Sequence, residues 1–449
     1  MACFIVAGLS VLLGAANHAW MVHYGYLESG QPQEYAANRL LASEVFHALA
    51  AGDLKSIYFF HGHHGPMLPI MAAIVAAMSG DAVIGPMTML VTTGWLGVAL
   101  TILGVYRLSR CWVGRGASIL ACTLVAASPV VVCYLRAFFH QGLLCALVLL
   151  TWAELMRTKG FTKRGATIRF AILAGASLLM KNLAPLYLAG PVTFELIRAG
   201  MNARVAPDVT RATRVVMANV VMAWCIVIAM TMGWITTSVD SIREYIEFGK
   251  RFEIPDHTAF GIENPTWSRW LYHPLAFINS GIGVAIAAVA VIALVLGRAK
   301  PTERERQGLR HALVHVGATY VVIAMRQPVL ESTFCITWAP VLAFCVAIQF
   351  SRSSAIGRRI IIAASVVALT VNAALFTRGP LTDRTSLHVG PIEVVAQFDH
   401  YLVAKTASVV GDLPSRGAPW PFAQFAFSLA RAGGGQEPHK IADDPSDSL

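Results

Sequence analysis

Met67–Gly80, MLPIMAAIVAAMSG, is an apolar run of about 14 residues, and how it is read decides the topology of everything after it. A bilayer crossing takes about 20 mainly apolar residues, so this run is short for one and better suited to a helix lying in the membrane interface. It closes a longer polar interval, Met21 to Pro69 (MVHYGYLESGQPQEYAANRLLASEVFHALAAGDLKSIYFFHGHHGPMLP). That interval gathers Glu28, Glu34, Glu44, Asp53, His61, His63 and His64 in a chain otherwise poor in charge.

Outward from this interval, runs long enough or nearly long enough to span lie near 3–20, 83–106, 116–135, 141–156, 166–181, 184–198, 214–236, 274–297, 311–326, 333–350 and 359–377. The pair 166–181 and 184–198 divides at Lys181, Asn182 and Pro185, where a proline disfavours a continuous helix. The basic residues cluster at Arg107–Arg115, Arg157–Arg169, Arg198–Arg214, Arg298–Arg310 and Arg352–Arg359. With eleven spans, every cluster falls on one side, as the retention of Lys and Arg in cytoplasmic loops requires. Counting Met67–Gly80 as a further crossing would throw the later clusters to the opposite side. The run is therefore expected to lie flat, with the N-terminus inside and the 21–82 interval, the 237–273 loop and the C-terminal tail outside.

Composition agrees. Of 449 residues 56% are hydrophobic and 13% charged, where soluble domains carry about a quarter charged. The net charge of +10 is dispersed between apolar runs rather than massed on one face, which excludes a nucleic-acid partner and marks the lipid bilayer as the surroundings. The eight cysteines show no CxxC spacing, so neither disulfides nor a zinc site is expected of them. The start, MACFIVAGLSVLLGAANHAW, lacks a basic n-region and reads as a first transmembrane helix rather than a cleaved signal peptide.

The outer interval reads as a string of interfacial helices. Leu40, Leu41, Val45, Phe46 and Leu49 recur at helical spacing from Glu34 to Ala51, and Gly52-Asp53 stops the run. Asp81 is expected to cap a helix near Val83. Residues 240–253 are expected to form an exposed charged helix, followed by Trp267, Trp270 and Tyr272 at a depth where aromatic rings anchor. Residues 1–377 thus form the membrane domain, and 378–449 a short tail, disordered from about Gly433.

Four segments occur in a recognisable order: HGPMLPIMAAIVAAMSG (64–80), GVYRLSRCWVGRGA (104–117), ASPVVVCYLRAFFHQGLLCALVLL (127–150) and GASLLMKNLAPLYLAGP (175–191). This order resembles the polyprenyl-phosphate-dependent GT-C glycosyltransferases of the protein O-mannosyltransferase and aminoarabinose transferase type. The resemblance covers roughly residues 30 to 200; beyond that it rests on span count, WSRWLYHPL (267–275) and TWAPVLAF (337–344). It implies an all-α integral membrane protein of about eleven transmembrane helices with interfacial helices in the first outer loop, GT-C-like. It also implies an enzyme of the bacterial inner membrane that transfers a sugar from a polyprenyl-phosphate donor to a glycan, lipid or protein acceptor outside. Arg136 and Lys181, both at outer helix ends, would hold the phosphate, with Gln141 and His140 in the substrate-binding set.

The chain departs from the family at its acids. The family opens its first outer loop with an acidic residue, often an Asp-Glu pair, before a Tyr-Ala step; here Gln31, Pro32, Gln33 and Glu34 precede Tyr35-Ala36. Glu34, with Glu28 behind it, is the candidate catalytic base. The second family acid falls on Gln141, which can accept a hydrogen bond but not a proton. A catalytically degenerate GT-C protein that binds a lipid-linked glycan as a scaffold is the alternative. A membrane transporter is a third reading, and it would require ionisable residues in mid-span and internal repeats; nearly all the charge is expected at helix ends. No cofactor is implied with certainty. His61, His63 and His64 have the residue type for a divalent metal, but not the spacing of a helical ligand pair and no Cys or carboxylate beside them in sequence.

Overall fold

The computed structural model describes residues 2–377 apart from 24–32, 63, 82–83, 137–139, 252–269, 272–273, 276, 279–281 and 327–334. The elements among them are helical. In chain order they are α1 Ala2–His23, α2 Gln33–Ala50, α3 Leu54–Tyr58, α4 Met67–Ser79 and α5 Pro86–Leu90. A π-helical turn, Val91–Gly97, leads into α6 Val98–Ser109, α7 Arg115–Ala126, α8 Pro129–Arg136, α9 His140–Arg157, α10 Arg164–Met180, α11 Ala184–Arg204 and α12 Val209–Arg251. The series ends with α13 Gly283–Leu296, α14 Glu303–Arg326, α15 Trp338–Arg352 and α16 Ala355–Thr377.

Among the described residues four stretches are long and apolar enough to cross a membrane by length and composition: Met87–Ser109, Val209–Glu244, Glu303–Met325 and Ala355–Asn372. Several of the eleven expected runs are shorter as helices than as sequence. The run 116–135 is two helices, because the chain turns at Ala127-Ser128 and restarts with Pro129 at the first position of α8, where its missing N–H costs nothing. Helices α10 and α11 separate at Lys181, as the sequence predicts, and α12 extends the expected span at both ends, to 43 residues or about 65 Å.

The centre of the bundle is α9, buried without interruption from His140 through Leu155. Its neighbours approach closely where they carry glycine. A Cβ on Gly104 of α6 would lie 3.0 Å from Leu149, and one on Gly142 would lie 2.7 Å from the carbonyl of Tyr134 at the end of α8. Small residues let backbones meet in this way where lipid gives helices no hydrophobic reason to associate.

The interval after α1 folds as short helices docked onto this bundle. Helix α4 has 13 residues, about 20 Å, short of the roughly 30 Å hydrocarbon core. It ends at Gly80 with φ +72, as α2 is followed by Gly52 at φ +71, the left-handed conformation that glycine adopts at low cost. Val45, Phe60, Ala73, Leu179 and Trp234 form a separate apolar cluster that joins α2, the 59–66 loop and α4 to α10 and α12. Asp81 differs from expectation: the next described helix starts at Pro86 with Gly85 as its cap, and Asp81 instead accepts a hydrogen bond from the Thr88 hydroxyl at 2.8 Å. Trp267, Tyr272 and the tail beyond Thr377 lie outside the described residues.

Helix α3 is capped by Asp53, whose carboxylate accepts from the Ser56 amide at 3.0 Å. The Ser56 side-chain and backbone hydrogen bonds hold the Asp53 carboxyl below its usual range. With the folded value lowered, the cap's contribution is present above the unfolded-state value of about 3.9 and is lost as pH falls through the folded value. Protection of the 54–59 amides relative to their intrinsic exchange is therefore expected to fall only on acidification below that range, and in Asp53→Ala, which has no capping oxygen, to be low at neutral pH as well. Equal protection of the variant and the wild type would refute this.

Candidate functional site

At one end of the bundle four pieces of chain converge: the loop Phe60–Pro66, the end of α8, the start of α9 and the end of α10. The loop is fixed to α12 through both backbone and side chains. Trp234 Nε1 donates to the Gly62 carbonyl at 2.9 Å, Gly62 N donates to Ser238 Oγ at 3.1 Å, and the Thr237 hydroxyl donates to the Phe60 carbonyl at 2.8 Å. His61 is held in the same seam, with Nδ1 2.7 Å from the Thr237 carbonyl and Nε2 3.2 Å from Ser241 Oγ. Both its ring nitrogens are thereby engaged. His63 lies outside the described residues, and among those described no group of three or more His, Cys, Asp or Glu could hold a metal ion.

On the other side the loop presses on α10. A Cβ on Gly65 would lie 2.2 Å from the Leu179 carbonyl oxygen, so only glycine allows the loop to meet the helix end here. Its neighbour His64 is buried, and the His64 ring meets that of His140 at the start of α9 edge-to-face, with centroids 4.5 Å apart. The contact between these two histidines is invisible in sequence, because nothing in the spacing of His64 and His140 signals it. Gln141, the next residue, is 6% exposed, and its Oε1 has no hydrogen-bond partner among the described residues.

Lys181 completes the end of α10. It leaves helical geometry at φ −159, ψ 139, while its amide still donates to Ser177 O at 3.2 Å. The residue is only 3% exposed, yet among the described residues its ammonium has neither a carboxylate nor a hydrogen-bond acceptor. Burying an uncompensated cation costs several kcal/mol in a typical protein interior. Arg136 is the last residue of α8, adjacent to the start of α9. The structure thus brings His64, His140, Gln141, Lys181 and the Arg136 backbone to one end of the bundle. Glu34 is the second residue of α2, and Glu28 lies outside the described residues.

Ionisable residues also lie inside the bundle, contrary to the expectation that charge sits at helix ends. Glu195 and His311 are both buried and meet at 2.8 Å, with Arg198 completing the group at 2.6 Å. One turn further along α14, the His315 ring bridges the Tyr187 carbonyl at 2.9 Å and the Thr337 hydroxyl at 3.0 Å. These partners are far apart in sequence and show no joint pattern there. They tie α11, α14 and the start of α15 together.

No protein-family model matches the sequence, and no curated protein matches it. Solved structures do resemble the fold. ArnT from Cupriavidus metallidurans bound to undecaprenyl phosphate superposes with a TM-score of 0.53 at 17% identity, covering 95% of this chain and 76% of that one. The Archaeoglobus fulgidus oligosaccharyltransferase in the apo form gives 0.52 at 11% identity, covering 88% of this chain but only 59% of that one. At these identities the likeness is one of fold. Among the described residues the chain is all-helical, with the fold that these two structures share, and it spans about three fifths of the length of the oligosaccharyltransferase.

Two substitutions test the geometry. Lys181→Met removes an uncompensated buried charge while keeping the stem's volume, and is expected to raise thermal stability in detergent by roughly 1 kcal/mol or more; a loss of stability would show that the ammonium has a structural partner. Gly65→Ala places its Cβ against backbone and is expected to cost about 1–3 kcal/mol. It should also expose the Gly62 amide to exchange, whereas unchanged protection would mean the loop is not held by this contact.

Proposed function

We propose that this protein is a membrane glycosyltransferase that moves a sugar from a polyprenyl-phosphate donor to an acceptor at the membrane surface, and that it acts at the end of the bundle built from Lys181, His140, Gln141 and the Phe60–Pro66 loop. The observation that carries the reading is Lys181, a residue only 3% exposed whose side chain has no anionic partner among the described residues. A phosphate supplies the missing charge. An interior cation acts on it at lower dielectric than water offers, so its attraction grows most where charge grows most, on the departing phosphate oxygen. The undecaprenyl phosphate bound to ArnT of the same fold supports a lipid phosphate as the donor's leaving group.

In the reaction the acceptor hydroxyl oxygen forms a bond to the anomeric carbon as the bond from that carbon to the phosphate oxygen breaks. The electron pair leaves with the polyprenyl phosphate, and the hydroxyl proton passes to a base. Glu34, with Glu28 behind it, is the proposed base. Arg136 joins Lys181 on the phosphate, while Gln141, with a carbonyl oxygen free to accept, and His140 contact the sugar or acceptor hydroxyls. The proposed setting is the bacterial inner membrane, with this end of the bundle outside. A second reading has one observation in its favour: Gln141 stands where the resembling family has an acid and cannot take a proton, as suits a protein that binds a lipid-linked glycan without transferring it.

Protein in proteoliposomes with a radiolabelled polyprenyl-phosphate sugar and an acceptor mixture separates the two. The transferase reading expects release of polyprenyl phosphate, with kcat/KM falling about 100-fold or more in Lys181→Met and in Glu34→Gln. Donor binding that depends on Lys181, with no release by the wild type, would overturn transfer and leave the scaffold reading.

A further inference from the structure

The opposite end of the same helices carries a second constellation. Helices α9 and α10 run antiparallel, so Glu154 lies 14 residues, or about 21 Å, along α9 from His140. Glu154 is 1% exposed at its side chain and receives three arginines from three helices: Arg107 of α6 at 2.7 Å, Arg157 of α9 at 2.7 Å and Arg169 of α10 at 2.9 Å. Their side chains are 33%, 38% and 56% exposed. Each guanidinium gives one nitrogen to the carboxylate, and its remaining nitrogens have no acceptor among the described residues. Glu154 is the only acidic residue on these three helices, so three cations against one carboxylate leave two positive charges uncompensated.

Such an arrangement exceeds what neutralising a buried glutamate requires. One bidentate arginine satisfies a carboxylate. Three that repel one another are held together only because the carboxylate lies between them. The result is a fork of outward N–H donors fixed at the rim of the bundle. The α9–α10 turn sets its spacing: Lys159, Gly160 and Phe161 all have positive φ, Phe161 is buried, and Asn219 of α12 donates to its carbonyl at 2.6 Å. The ligand that fits is a tetrahedral oxyanion of low charge delivered at membrane depth.

We propose that Arg107, Arg157 and Arg169, gathered by Glu154, form a binding site for the phosphodiester headgroup of an anionic phospholipid in the leaflet opposite the Lys181 site. Phosphate geometry matches the planar guanidinium fork, and basic pockets between spans at the lipid surface bind such headgroups. The site acts as a staple: a bound headgroup neutralises the excess charge and joins α6 to α9 and α10, the two helices whose other ends help build the candidate active site. The inference is independent of the sugar-transfer reading.

The test is thermal unfolding of the full chain in nanodiscs of phosphatidylcholine alone, of phosphatidylcholine with phosphatidylglycerol, and of phosphatidylcholine with inorganic phosphate in solution. Phosphatidylglycerol is expected to raise the midpoint, and titrating it to give an apparent affinity that falls roughly fivefold in Arg169→Gln. Arg306→Gln removes a charge at the same end of the bundle, where Arg304 of α14 binds the Arg110 and Cys111 carbonyls. It should leave the affinity unchanged. Arg169→Gln is chosen because it leaves Glu154 two partners; Glu154→Gln is expected to lose the response too, if it folds. An equal loss in both arginine variants would show diffuse attraction, and a response to inorganic phosphate alone would show a soluble anion site. Either result, or no response to any anion, overturns the proposal.

Discussion

The structure depends on the burial of α9. A helix enclosed on every side from His140 through Leu155 can meet neither water nor headgroups along its length, so most polar groups it carries are answered within the protein, while among the described residues Gln141 Oε1 and Trp152 Nε1 are not. In its middle the answers are local: the Thr151 hydroxyl donates to the Leu147 carbonyl at 2.7 Å and lies 3.2 Å from Ser177 Oγ on α10. At its ends they come from other helices. Glu154 draws arginines from α6 and α10, and His140 packs on His64 of the docked loop. The central helix therefore organises both faces of the molecule, and the close glycine contacts around it hold the surrounding helices at the distance those answers need.

The two ends are answered unequally. Around Glu154 the protein supplies more cation than the carboxylate needs, on side chains that reach the surface. Around Lys181, a residue only 3% exposed, it supplies no anion among the described residues. Surface excess costs little, because solvent and lipid headgroups screen it. An unanswered interior charge is costly, and proteins keep such conflicts mainly where a ligand resolves them. That contrast, rather than residue type, separates a site for occasional lipid contact from a candidate site for chemistry.

Much of the fold is legible in the sequence because the bilayer enforces it. The apolar runs read as helices, and the shortness of Met67–Gly80, which folds as the 13-residue α4, follows from length against hydrocarbon thickness, which acts on any sequence alike. The break at Lys181 is legible because polarity and proline coincide there. The break at Ser128 is not, because composition is equally apolar on both sides of Pro129 and only the local backbone distinguishes a helix start from a kink. The polar interior is less legible still. Glu195 with His311 and His315 with Thr337 join parts of the chain distant in sequence, and a residue that reads as a helix-end charge proves to be a bundle contact.

The candidate site is half legible, and for a physical reason. Lys181, Gln141 and Arg136 stand at helix ends, and helix ends can be counted from sequence. His64 and Gly65 act through a loop whose position is set by contacts with α10 and α12, which no local pattern announces. The HGHHG segment suggests metal ligands by residue type alone, yet its first histidine is committed to the Thr237 carbonyl and the Ser241 hydroxyl, and its third to the ring of His140. His61 and His64, which look like part of a ligand set in one dimension, serve in three to fix the loop against α12 and α9. The loop they fix meets the end of α10, where the lysine stands.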